Sequence, residues 1–154
     1  MIFVAALFAT AQPAEADDPI VLDPGLGCPG FALQLQGTGG NLQTKDFYDK
    51  NGNKVRTITA GKGVLLTYTN LSTGKSITFD TSGSVSKTTY NADGTYTVRA
   101  SGHNGLVLFP SDVPAGPTTT QYTGTIVYTI DPTTGVFTLV SSSGQAVDVC
   151  AALA

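Results

Sequence analysis

From Phe31 onward, short apolar and β-branched runs alternate with clusters of Gly, Asn, Asp and Ser. Within the runs, apolar residues recur at every second position, the period of a strand with one buried face. In 121–130, Tyr122, Gly124, Ile126, Tyr128 and Ile130 share one side and mostly Thr occupies the other. Tyr96, Val98 and Ala100 repeat the pattern against Thr97 and Arg99, as do Val64, Leu66 and Tyr68, and then Ile77 and Phe79. The pattern predicts strands at 31–36, 44–48, 54–60, 64–70, 75–81, 84–90, 95–101, 106–109, 121–130, 136–141 and 145–150.

The intervening residues carry turn chemistry. Asn51-Gly52 and Asp93-Gly94 are hairpin signals, because both members of each pair tolerate positive φ. The stretches 70–74 and 131–135 read as longer hairpin loops ending in Gly, and Ser82-Gly83 and Ser143-Gly144 as two further closures. Gly102-His103-Asn104-Gly105 reads as a turn between two strands. Successive hairpins, each strand with one buried face, predict an all-β, antiparallel up-and-down meander. About ten strands exceed what one open twisted sheet holds comfortably, so the meander is expected to close into a small β-barrel, with a β-sandwich as the alternative. The Pro-rich stretch 111–117, followed by Thr118 to Thr120, breaks the rhythm as a long connection, either a crossover or a cover over an opening.

Residues 1–9 (MIFVAALFA) form a short apolar run, and Ala14-Glu15-Ala16 has the small-x-small pattern of a signal-peptidase site. Residues 1–16 are therefore expected to be a secretory signal, 17–27 an N-terminal extension, and 28–154 the single domain. The run opens without Lys or Arg, which suggests a start inside a longer reading frame. It is too short for a transmembrane segment, which takes about 20 residues. Gly25-Leu26-Gly27-Cys28 is a poor lipobox, with its leucine one position too close to the cysteine. Cys28 and Cys150 are the two cysteines, and in an exported chain they are expected to pair, tying the first strand of the domain to the last.

Composition reinforces the strand reading. Charged residues make up only 12%, with Thr, Ser and 18 Gly in their place, which suits strand faces and turns better than helix surfaces. The net charge of −3 and eight cations scattered in sequence argue against nucleic acid as a partner.

No catalytic motif emerges. His103 is the one histidine; a triad with Ser101 and Asp112 lacks a nucleophile elbow, and a solvent-exposed turn histidine is the plainer reading. Metal sites fail on ligand count: Asp49 with Asn51 and Asn91 with Asp93 mimic only fragments of a calcium loop, and no cofactor is implied. Asp148, near Cys150 in the last predicted strand, is a carboxylate that could face inward. The inward tyrosines Tyr68, Tyr96, Tyr122 and Tyr128 are candidates to line an interior and present hydroxyls to a small apolar ligand, or are simply core.

Two stretches carry a resemblance: 16–33, including Ala16-Asp17-Asp18-Pro19 and Cys28-Pro29-Gly30-Phe31-Ala32-Leu33, and 108–117, Leu108-Phe109-Pro110 through Pro117. With Val136-Phe137-Thr138 and the close Cys150-Ala151-Ala152-Leu153, they resemble small secreted actinobacterial proteins. The resemblance implies export and a shared domain and carries over no site. The expected function is a secreted binding or interaction module for a small apolar ligand or a surface partner. The alternatives are a cofactor-free barrel enzyme of isomerase or cyclase type and a structural cell-envelope protein.

Overall fold

The structure, a computed structural model, describes residues 18–154 in full and residues 2–4 as backbone. The rest of the expected signal, including its cleavage site, lies outside the described residues. The elements are β1 (Ile2–Val4), β2 (Ile20–Leu22), β3 (Leu33–Thr38), β4 (Asn41–Tyr48), β5 (Lys54–Lys62), β6 (Leu65–Asn70), β7 (Ser76–Asp80), β8 (Val85–Tyr90), β9 (Tyr96–Leu108), β10 (Thr118–Ile130), β11 (Phe137–Asp148) and a short helix, α1 (Val149–Leu153).

The strands form two sheets. The larger runs β11-β10-β9-β8-β5-β4, with β1 beside β9, and the smaller runs β2-β3-β6-β7. All pairs are antiparallel except β1 with β9. The hairpins at 49–53, 70–74, 91–95 and 131–135 form as expected. Ser82-Gly83, by contrast, joins β7 of the small sheet to β8 of the large one, so β5 and β8 become neighbours across an excursion. Among the described residues neither path returns to its start. The expected closed barrel is not found, and the sandwich-like alternative describes the two sheets better.

Two predicted turns are strand interior. Gly102-His103-Asn104-Gly105 lies within β9, and Ser143-Gly144 within β11. The register explains why: Gly102 pairs with Gly124, which pairs with Gly144, so a row of glycines crosses three strands. All three have positive φ (91°, 144° and 87°). A Cβ on Gly124 would sit 2.1 Å from the Ser143 carbonyl oxygen, and one on Gly144 2.2 Å from that of Thr123. Only glycine allows this approach.

At this row the long strands bend without breaking their ladders. One Asp112 carboxylate accepts the Phe109 amide at 2.6 Å and the Phe137 amide at 2.8 Å. Phe109 follows the end of β9 that pairs with Thr118, whereas Phe137 pairs with Ile130, twelve residues further along β10. A straight strand would separate those points by about 40 Å. The sheet must therefore curl for one side chain to reach both. Val113 completes the clasp through a parallel bridge to Thr138 on the outer edge of β11. The Pro-rich connection is thus a buckle across the curled sheet.

Two cores result. Between the sheets, Leu33, Leu35, Leu66 and Tyr68 pack with Val107 of β9 and with Val149 and Leu153 of α1. Inside the curl, Val98, Leu106, Leu108, Ile126, Tyr128, Ile130 and Phe137 form the second. Cys28 and Cys150 are joined, with Cα atoms 5.5 Å apart. The bridge runs from the loop after β2 to α1, instead of from strand to strand. Closing a loop of 122 residues removes about 5 kcal/mol of unfolded-chain entropy in the chain-entropy model.

Candidate functional site

The concave face of the large sheet is built from alternate residues of β9 and β10. Register places Val98 opposite Tyr128, Ala100 opposite Ile126, Asn104 opposite Tyr122 and Leu106 opposite Thr120, all facing the curl. These residues face one way because the strand period is two. They converge because the glycine row bends the sheet.

The four inward tyrosines do not form one lining. Tyr68 belongs to the core between the sheets and donates its hydroxyl to Gln121 Oε1 at 2.7 Å. Tyr122 and Tyr128 belong to the core inside the curl, and Tyr96 packs against it. Tyr128 stacks on Phe137 with centroids 5.4 Å apart, and Tyr96 meets Tyr90 edge-on at 4.9 Å. Burial raises the pKa of Tyr68 and Tyr128 far above the usual phenol value, and that of Tyr122 less, because a phenolate there would lose its hydration. Burial thus holds these hydroxyls in the neutral form.

The described part of the curl also buries a polar side chain. Asn104 is buried; its Nδ2 donates to the Ser101 carbonyl at 3.0 Å, while Oδ1 has no partner. A buried acceptor left unmet costs about 1–3 kcal/mol. No sequence signal marked Asn104, because as part of a supposed turn it had no reason to be buried.

The strand position next to this site is filled by β1. Ile2, Phe3 and Val4 pair in parallel with Gly105, Leu106 and Val107. At this stretch β9 has a core on either side, since Leu106 belongs to the one inside the curl and Val107 to the one between the sheets.

The catalytic candidates are dispersed. His103 is half-buried within β9; its backbone exchanges hydrogen bonds with the Ser84 hydroxyl, and its Nδ1 lies 3.3 Å from Thr123 Oγ1. Both oxygens of Asp112 are taken by backbone amides, and Ser101 Oγ points to the Val85 carbonyl. The triad is not assembled. Asp148 does not face inward: it is exposed and caps α1 by accepting the Ala151 amide at 3.0 Å. Asp49 and Asp93 accept amides of their own turns. Among the described residues, no group of three or more His, Cys, Asp or Glu side chains could hold a metal ion, and no helix is long and apolar enough to cross a membrane.

No protein-family model, curated protein or solved structure matches the chain.

Proposed function

We propose that this is an exported binding module that takes an extended apolar ligand against the curled face of its large sheet, alongside β9. The observation that carries the reading is the parallel seating of Ile2–Val4 on Gly105–Val107. That segment falls inside the stretch whose sequence reads as a removable leader. Its departure uncovers three residues of strand edge, Gly105, Leu106 and Val107, two of which belong to the apolar cores on either side. An edge of this kind recognises a guest in two ways: backbone hydrogen bonds supply affinity, and alternate side-chain positions supply selectivity. Asn104 adds an unmet acceptor on the same face. The Cys28–Cys150 bridge supports export, because such bonds persist in oxidising compartments.

The test uses the chain from residue 17 to 154 with its disulfide intact. It is titrated with a synthetic peptide of residues 1–9 carrying a solubilising lysine tail, and with the same peptide bearing Phe3→Pro. Binding is read as a rise in Tm, since a ligand confined to the folded state stabilises it by mass action. The unsubstituted peptide is expected to bind, and the proline version to bind at least tenfold more weakly, because proline lacks an N–H and cannot complete a ladder. Equal binding of the two peptides, or binding of neither, would remove the basis for the reading.

A further inference from the structure

The opposite, outer face of the same sheet carries an independent feature. Although the eight cations are scattered in sequence, strand pairing gathers half of them on this face. Lys45 lies opposite Ile58, Ile58 opposite Lys87, Lys87 opposite Arg99, and Arg99 opposite Val127, a single row across β4, β5, β8, β9 and β10. In the next row Phe47 faces Arg56, followed by Thr89, Thr97 and Thr129. Lys45, Lys87 and Arg99 are exposed.

Among the described residues no salt bridge engages Lys45, Arg56, Lys87 or Arg99. The salt bridge among the described residues joins Lys54 to Asp46, and Asp46 pairs with Thr57 in the register of the other face. Lys87 and Arg99 instead stand directly opposite each other, an arrangement that weakens a sheet. Arg56 stacks on the Phe47 ring at 4.4 Å, with Lys45 above the same ring at 5.3 Å. The buried Nε of Arg56 has no hydrogen-bond partner. A protein of net charge −3 thus concentrates positive charge on the outer face of this sheet.

We propose that this face binds an acidic polysaccharide laid across the strands. Lys45, Arg56, Lys87 and Arg99 stand one to a strand, and neighbouring strands are about 4.8 Å apart. The result is a comb of positive charge that suits a chain with one carboxylate per sugar ring. The remaining groups fit a sugar as well: the threonine hydroxyls are neutral hydrogen-bonding partners, and Phe47 is a half-buried ring held in place by two cations. The net negative charge of the whole disfavours a long, densely charged nucleic acid, which needs many more cations.

The test measures binding of the disulfide-bonded chain to polygalacturonate, with neutral dextran and a single-stranded DNA oligomer as parallel arms. Polygalacturonate is expected to bind with an affinity that falls as salt rises. The K87Q/R99Q double variant is expected to bind about tenfold more weakly and with a shallower salt dependence, on the scale of two exposed ion pairs. Its Tm should not fall, because a repulsive pair has been removed. K50Q/K75Q, which changes two cations in turns, is expected to bind as the parent does. Equal loss in both variants, tighter binding of DNA, or no binding of polygalacturonate would overturn the proposal.

Discussion

Replacing Gly144 by alanine tests the curl directly, because the chain contains a matched control. Gly94, in the β8–β9 turn, has φ of 88° against 87° for Gly144, and a Cβ there would meet nothing within 4 Å. Both variants incur the left-handed backbone penalty, about 1–2 kcal/mol. G144A alone must also place its methyl 2.2 Å from the Thr123 carbonyl oxygen, nearly 1 Å inside the closest approach that real Cβ atoms show. That oxygen belongs to a neighbouring strand, so relief requires β10 and β11 to part at the bend, an overpacking cost of about 1–3 kcal/mol. G94A is therefore expected to lose about 1–2 kcal/mol and G144A about 3–4. Urea unfolding with the disulfide intact resolves the gap: at a slope of about 2 kcal/mol per molar, the midpoints should differ by about 1 M. Coincident midpoints would mean that the strands do not approach closely at this row, and the account of the curl would fail.

Other consequences follow from named contacts. Asp112→Ala strands the buried Phe137 amide and the half-buried Phe109 amide and is expected to cost about 2–6 kcal/mol; Asp112→Asn, whose amide oxygen can still accept one of them, should cost clearly less, both read by chemical denaturation. Cys28→Ser should destabilise by up to about 5 kcal/mol without moving the strand content seen by circular dichroism. On alkaline titration by ultraviolet absorbance, Tyr68 and Tyr128 should stay protonated until the protein unfolds. Their folded pKa values are raised, so their contribution to stability is intact below the ordinary phenol value near 10 and is lost as pH rises beyond it, when the unfolded chain alone ionises. A melting temperature that stays flat well above pH 10 would contradict their burial.

Local chemistry was legible in the sequence; long-range pairing was not. Asn51-Gly52 and Asp93-Gly94 were readable as hairpins because the residues that specify them are adjacent. Gly102 and Gly144 look the same in one dimension, yet each continues a strand, and only their register against Gly124 distinguishes a bend from a reversal. Alternation correctly turned Tyr68 and Tyr128 inward but could not say that they enter different cores, since that depends on which sheet each strand joins. The row through Lys45, Lys87 and Arg99 was invisible for the same reason. Asp148 is a different case: an aspartate just before an alanine-rich apolar end is a readable helix cap, but the strand pattern before it drew the prediction through to Cys150.

Because the Asn104–Leu108 end of β9 and the Thr118–Tyr122 end of β10 turn alternate side chains to the curl and to the second sheet, neither interior can come apart alone. Losing the ladder between these two strands dissolves both at once. Melting should therefore register as one transition by every probe, with the slowest amide exchange concentrated in the central strand pair and not in either sheet as a separate unit. Substitution inside the curl is constrained in the same way: a change that repacks it is transmitted through a shared wall to the side of the molecule that holds the disulfide.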